Sequence, residues 1–289
     1  MAEHVYLNGD VMPADQAKIT VFDAGLQHGV GLCEVIRCYQ GRPFRLNDHL
    51  ARLEDSAKTL GLVVPAQPKQ FERAIEKLLA ANELGDARVR ITVTGGSVRV
   101  GIHLGAQSAP NVLITAGPAA APPAEVYADG VGVVLSDYRT SSRDPIVRHK
   151  TISYLSRLTA LKRAQRARMA DALWFSDEGY LVGGSVANVF VVRDDIIHTP
   201  PLDLPVIPGI ARKVVIELAA DLQFPLRETR LSMQEMLEAQ EMFLTNTVIE
   251  VLPVVVVERH VVGEGRVGPL TRSLLQRYRR QVREELEIA

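Results

Sequence analysis

Cysteine is scarce in this chain: Cys33 and Cys38 are the only two among 289 residues. Two thiols so close together cannot frame a fold of this size. Disulfide-built secreted scaffolds are therefore excluded, and a reducing compartment is expected. Excess charge is also missing, with 33 Lys+Arg against 34 Asp+Glu and a net charge of −1. That balance gives no reason to expect nucleic acid or an acidic membrane surface as a partner. The one Arg-rich stretch, Lys162 to Arg168, interleaves alanines at helical spacing and reads as the wet face of a helix. No apolar run approaches the roughly 18 residues that a membrane-spanning helix requires. The opening residues Met1 to Tyr6 lack the basic-then-apolar order of a secretory leader, so the expected home is the cytoplasm. Histidines are scattered and the cysteines have no ligand-type neighbours, so no metal site is expected.

What is present is an irregular alternation of strand and helix patterns. Val5 to Asp10 reads as a strand entering an Asn8-Gly9 turn, and residues 18–22 as a second strand. With Asn47 as N-cap, Leu50, Leu53, Ala57 and Leu60 share one helical face, and Gly61 ends the run. Another helix starts at Pro68, buries Phe71, Ile75, Leu78 and Leu79, and stops near Gly85. Val89, Ile91 and Val93 alternate with polar residues as in a half-buried strand. The Pro/Ala-rich passage from Gly117 to Ala124 is the best linker, dividing domains at 1–117 and 126–289 with a connection at 118–125. Beyond it follow a strand from Val131, a helix reaching about Met169, a hairpin around Asp177-Glu178-Gly179, a helix opened by Pro208-Gly209, two more strands and an amphipathic tail helix from Leu270. The absence of a strict βαβ rhythm favours an α+β architecture.

Several motifs mislead. Gly263-Glu264-Gly265-Arg266-Val267-Gly268 matches GxGxxG, yet Pro269 follows and no later strand completes a βαβ unit. It reads as a surface connection. Gly184-Ser185-Val186 lacks the second glycine of a nucleophile elbow.

Chemistry points instead to Lys150, in Arg148-His149-Lys150-Thr151-Ile152-Ser153-Tyr154 between a loop and a helix. A lysine amine attacks carbonyls in its neutral form, which adjacent positive charge from Arg148 and His149 favours. A phosphorylated aldehyde cofactor would also need a cation and amide donors for its phosphate. Arg52, one turn beyond His49, offers a guanidinium. Pro208-Gly209-Ile210-Ala211 opens a helix whose first amides can bind an anion. Thr247 offers a hydroxyl at a strand end.

In their order along the chain these segments resemble the class IV, fold-type IV pyridoxal-phosphate enzymes, a group of branched-chain aminotransferases, D-amino acid aminotransferases and 4-amino-4-deoxychorismate lyases. The matching stretches include Tyr6-Leu7-Asn8-Gly9, Gly29 to Glu34, Phe44 to Leu53, Lys150 to Leu155, Asn188-Val189-Phe190, Pro208 to Arg212 and Thr245-Asn246-Thr247. The resemblance implies a small N-terminal α/β sandwich domain, a larger C-terminal barrel-like α+β domain, and pyridoxal 5'-phosphate as cofactor. It implies that Lys150 is the Schiff-base and proton-shuttling lysine, and that Arg52, Ile210, Ala211 and Thr247 hold the phosphate. Tyr154 and Asn188 complete the cofactor pocket, and Cys33, Glu34, Arg99 and His103 fall to the substrate pocket. The partners implied are amino acid and 2-oxo acid substrates and at least a second copy of the chain, as a homodimer or higher homo-oligomer.

Departures from the pattern matter. Where the family carries a glutamate for the pyridine nitrogen, five residues before Asn188, this chain has Gly183. Where the D-amino acid enzymes have Thr-Arg-Gly, it has Thr94-Gly95-Gly96, which leaves Arg99 or His103 to serve. Glu34 agrees with the aminotransferases, whereas the lyases tend to carry threonine there. The reading is an aminotransferase acting through Lys150; the alternatives are a lyase of the aminodeoxychorismate type and a cofactor-binding homologue with little transaminase activity.

Overall fold

A computed structural model describes residues 3–98 and 109–288. Its chain divides into two compact units, residues 1–120 with His149–Ser153 and Ile288, and residues 121–148 with Tyr154–Glu287 and Ala289. The first contains β1 (His4–Leu7), β2 (Asp10–Pro13), α1 (Ala24–His28), β3 (Gly31–Tyr39), β4 (Arg42–Pro43), α2 (Leu46–Leu60), α3 (Pro68–Ala81), β5 (Ala87–Thr94) and β6 (Val112–Pro118). The strands form one six-stranded sheet in the order β2-β1-β6-β5-β3-β4. Strand alternation sends Leu32, Ile36 and Cys38 of β3 and Val89, Ile91 and Val93 of β5 into one core. The apolar stripes of α2 (Leu50, Leu53, Ala57) and α3 (Phe71, Ile75, Leu78, Leu79) pack against them. Each of the Val, Leu, Ile and Phe side chains taken fully out of water stabilises by about 1.5–3 kcal/mol. Pro68 sits in the first turn of α3, where its missing N–H costs nothing, and Gln67 and Gln70 cap reciprocally.

Two local expectations fail in this unit. Residues 18–22 form no strand, and Val21 and Phe22 lie exposed. The chain here is governed by Asp23, whose buried carboxylate accepts from the amides of Gly25 and Leu26 at the start of α1 and from Thr94 Oγ1 and Asn111 Nδ2. Asn47 is not the N-cap of α2. Arg45 precedes the helix in a left-handed conformation (φ 54°), and the helix starts at Leu46, which joins the core.

The second unit contains α4 (Ala124–Asp129), β7 (Val131–Thr140), a 3-10 turn (Pro145–Arg148), α5 (Leu155–Arg166), β8 (Asp171–Ser176), β9 (Leu181–Gly184), β10 (Asn188–Arg193), β11 (Ile196–Thr199), α6 (Ile210–Asp221), β12 (Leu226–Glu228), α7 (Met233–Leu237), β13 (Glu241–Asn246), β14 (Glu250–Val257), β15 (His260–Val261) and α8 (Pro269–Leu286). Its nine-stranded sheet runs β12-β11-β10-β13-β14-β7-β8-β9, with β15 against β14. The end strand β9 returns against β10, where the Gly184 amide donates to Ala187 O at 2.8 Å, so the sheet curls on itself. Phe190 and Phe243 stack at 4.9 Å on neighbouring strands, and α5, α6 and α8 pack on the sheet. Among the described residues no helix is long and apolar enough to cross a membrane.

The GxGxxG stretch leads into α8, and its anion-binding capacity is already spent. The Glu241 carboxylate accepts from the amides of Leu270 (3.1 Å) and Thr271 (2.7 Å) and from Thr271 Oγ1 (2.6 Å). A helix start filled by the protein's own carboxylate has no room for a phosphate.

Candidate active site

Lys150 is half-buried and held as a short added strand on the edge of β3. The Cys33 amide donates to Lys150 O at 2.9 Å, the Ile152 amide donates to Gly31 O at 3.0 Å, and Leu32 and Thr151 face each other between these bonds. Gly31 is required here, because a Cβ would press on Val93 O and on Ile152 Cδ1. His149, next in the chain, meets Ser56 Oγ of α2 at 3.0 Å. Thus the backbone of this segment is set by β3, and its flank by α2.

On the core side of β3 lies an ionic cluster that residue types alone do not reveal. Glu34 is buried, and its Oε1 accepts from Arg52 Nε at 2.8 Å while Oε2 accepts from Arg52 Nη2 at 2.5 Å. Oε2 also meets His49 Nδ1 at 2.8 Å. Burial alone would raise the Glu34 carboxyl, but Arg52 and the His49 hydrogen bond hold it at about 2. Burial also pushes His49 below its ordinary value, although Glu34 opposes this, and the charges of Arg52 and Lys150 add to the depression. An ionised carboxylate beside a neutral imidazole means that His49 Nδ1 carries the proton and donates it. Glu34, which the resemblance assigns to the substrate pocket, is buried and paired with Arg52. Arg52 Nε and Nη2 both face Glu34. Sequence reasoning missed His49 as a member of this cluster; its place one turn before Arg52 on α2 is the signal that could have found it.

In the second unit, Ile210 and Ala211 are the first residues of the 12-residue helix α6, preceded by Gly209. No carboxylate or hydroxyl among the described residues accepts from their amides, in contrast to α8. Asn188 sets this helix start, since its Nδ2 donates to Ile207 O at 2.9 Å and its Oδ1 lies where a Cβ on residue 209 would be. Asn188 is thus a positioning residue for the Pro208-Gly209 turn. Thr247 lies half-buried in the turn between β13 and β14. Asn246 shapes that turn, its Oδ1 accepting from the amides of Val248 (2.8 Å) and Ile249 (3.0 Å). Tyr154 is half-buried at the N-cap of α5.

Gly183 lies in β9 opposite Trp174, with φ at 149°. A Cβ there would stand 2.9 Å from Ala187 O, a backbone atom that cannot swing aside. The glycine is therefore built into the local backbone, and no side chain replaces it without a shift. Nearby acids do not substitute. Asp171 is buried and accepts from the amides of Ala172 (2.7 Å), Ser185 (3.0 Å) and Val186 (3.4 Å), which pins the turn that follows β9. Glu178 is exposed in the hairpin turn. Arg157 donates to the carbonyls of Gly184 and Ser185, so the charged group that reaches this turn from α5 is a cation.

The residues present fit the anionic end of pyridoxal phosphate, given the uncapped α6 and the hydroxyl of Thr247. At Gly183, where the resemblance implies a carboxylate for the ring nitrogen, this chain carries no side chain. Cys33 is buried, its Sγ 3.5 Å from Thr151 O, beside the lysine segment. Arg99 and His103 lie outside the described residues. Among the described residues no group of three His, Cys, Asp or Glu could hold a metal ion.

Residues 31–257 match the model of the family described as amino-transferase class IV. The chain is similar to the branched-chain-amino-acid aminotransferase of Escherichia coli (strain K12), with 31% identity over 284 residues, 96% of this chain and 92% of the relative. It is similar in structure to a T.th. branched-chain amino acid aminotransferase solved with pyridoxamine 5'-phosphate, at TM-score 0.89 and 28% identity, covering 98% of this chain and 94% of the other. The branched-chain aminotransferase of the archaeon Thermoproteus uzoniensis, solved with norvaline, matches at TM-score 0.86 and 31% identity over 98% of this chain and 95% of its own. With a family model spanning most of its length, relatives aligned nearly end to end and a helix start open to a phosphate, this chain belongs to the class IV aminotransferases, pyridoxal-phosphate-dependent transaminases of fold type IV.

Proposed function

We propose that this protein moves an amino group between an amino acid and a 2-oxo acid, with Lys150 as the amine that carries the cofactor and relays the substrate α-proton. Bound pyridoxal phosphate supplies an aldehyde for amine exchange and a ring that accepts electrons. Lys150 holds its place through the two backbone bonds to β3. The phosphate falls to the amides of Ile210 and Ala211, to Thr247 and to Arg52, which Glu34 orients. Asn188 acts one step removed by fixing the turn before α6, and Tyr154 serves the ring's phenolic oxygen. The observation that carries the reading is the contrast between two glycine-led helix starts. Glu241 fills that of α8, whereas that of α6 meets no acid or hydroxyl among the described residues. A cytoplasmic homodimer is the expected form, in keeping with two buried free thiols and with the resemblance.

The test is optical and chemical. Purified protein supplied with cofactor should show its visible band, and borohydride should fix the cofactor's mass on the Lys150 peptide. Lys150→Ala should lose both the band and the adduct. A wild-type protein that stays colourless with added cofactor rules the proposal out.

Gly183 favours a second reading, in which cofactor binds but amine transfer is slow because no carboxylate keeps the ring nitrogen protonated. Removing a buried counter-charge from a state that needs it costs several kcal/mol. A full complement of bound cofactor together with half-reactions orders of magnitude slower than in the E. coli relative would select this reading.

A further inference from the structure

The first turn of α5 carries a cation with little structural reason to be there. Arg157 follows Tyr154, the N-cap residue, by three positions. A helix start is the positive end of the macrodipole, so a guanidinium in this turn is disfavoured. Burial disfavours it further and pulls it below the ordinary arginine value, with Tyr154 and Asp171 in opposition. Yet no carboxylate among the described residues forms an ion pair with Arg157. The oxygens of Asp171 are turned instead to the amides of Ala172, Ser185 and Val186.

What Arg157 does touch is the turn beside Gly183. Its Nη1 donates to Gly184 O and to Ser185 O, both at 3.3 Å, and its Cζ lies 5.5 Å from the centre of the Trp174 ring. Trp174 is the partner of Gly183 across the ladder of β8 and β9. The indole is itself held, since Nε1 donates to Ser185 Oγ at 3.0 Å and Tyr138 stacks on it at 5.5 Å. Nη1 is thereby occupied, whereas Nε and Nη2 meet no acceptor among the described residues. Two long hydrogen bonds and one cation–π contact are weak compensation for a desolvated, unpaired charge.

Gly183 is the position at which the resemblance implies an acid for the pyridine nitrogen, and an arginine beside it has the opposite effect. A carboxylate accepts from the nitrogen and keeps a proton on it. A guanidinium only donates and is not deprotonated in a protein, so a nitrogen that it meets has to be an acceptor, without a proton. Spacing agrees. Positions i and i+3 of a helix are neighbours on one face. With Tyr154 at the phenolic oxygen, Arg157 falls on the same side of the ring, toward its nitrogen.

We propose that Arg157 donates to the ring nitrogen of bound pyridoxal phosphate and keeps it unprotonated, so that this chain exchanges the expected acid for a cation. The proposal rests on the cofactor binding put forward above and deepens the slower of its two readings. Hydrogen bonds to the ring nitrogen tune the ring, and without a proton there it accepts electrons less readily.

Two measurements that do not depend on turnover test this. Holoenzyme loaded with pyridoxal phosphate carrying an NMR-active nitrogen isotope in the ring should give the shift of an unprotonated pyridine. A pyridinium shift overturns the proposal. Wild-type apoprotein should bind an analogue with C–H in place of the ring nitrogen about ten- to hundredfold more weakly than pyridoxal phosphate. Arg157→Met should bind the two within about twofold of each other, and Arg157→Lys should keep part of the difference. An arginine that only braced the turn would, on removal, weaken both ligands alike and preserve their ratio. Equal affinities in wild type, or a ratio that survives Arg157→Met, overturns the proposal and leaves cofactor binding intact; should Arg157→Met not fold, the two wild-type results decide. A wild type that binds neither ligand overturns the cofactor reading, and this proposal with it.

Discussion

Replacing Glu34 by glutamine keeps the side chain's size and removes its charge from a buried cluster. Glu34 accepts three short hydrogen bonds, two from Arg52 and one from His49. Lowering its carboxyl from the ordinary 4.5 to about 2 corresponds to about 3 kcal/mol of native-state preference for the ionised form. Glutamine offers one acceptor oxygen and turns an NH2 toward either Arg52 or His49, leaving the guanidinium without its counter-charge. Breaking a buried pair in this way costs about 3–5 kcal/mol, more than deleting both partners. The acid limb gives an independent signature. Because the folded Glu34 value is depressed, its contribution is complete above 4.5 and is lost as pH falls toward 2. His49 is depressed as well, so its contribution is complete above 6.5 and declines below that value. Wild-type stability should therefore fall from pH 6.5 downward and steepen below 4.5, and Glu34→Gln should lack the steeper limb. Urea unfolding of cofactor-free protein from pH 3 to 8 reads both effects, and Glu34→Gln/Arg52→Met should recover part of the loss by removing the orphaned charge. A Glu34→Gln protein within about 1 kcal/mol of wild type at pH 7, with the acid limb unchanged, would refute the cluster as described.

Gly209→Ala should push Asn188 off Ile207 O and displace the start of α6. We expect a loss of about 1–3 kcal/mol in stability and at least tenfold weaker cofactor binding by titration; an unchanged cofactor Kd would show that α6 does not hold the phosphate. Gly183→Glu introduces a side chain at φ 149° against Ala187 O. It should cost about 1–3 kcal/mol without accelerating amine transfer, and a stable variant with faster half-reactions would show that the backbone there yields more readily than its geometry indicates.

The elements with a strong period were legible from residues alone. Pro68 and the stripe Phe71, Ile75, Leu78 and Leu79 specify α3, and the alternation at Val89, Ile91 and Val93 specifies β5, because burial on one face imposes the period of the element. Residues 18–22 have the residue types of a strand but find no sheet partner, and Asp23 claims the neighbouring backbone for α1. Glu34 and Arg52 each stand out in the sequence by residue type and motif. Their pairing is not visible in the sequence, since the 18-residue separation between them closes only when α2 packs on β3. The context of the GxGxxG stretch speaks against a nucleotide site, but only the fold reveals that Glu241 occupies the helix start it leads to.

By itself the sequence singled out Lys150, the order of the segments proposed to hold the cofactor and the alternating mixture of strands and helices, since these depend on residue type and local spacing. The tertiary structure alone decided which charges cancel, which helix start stays open to an anion, and which cation reaches the turn beside Gly183. Those outcomes depend on register and on burial, two quantities that arise only when distant segments meet.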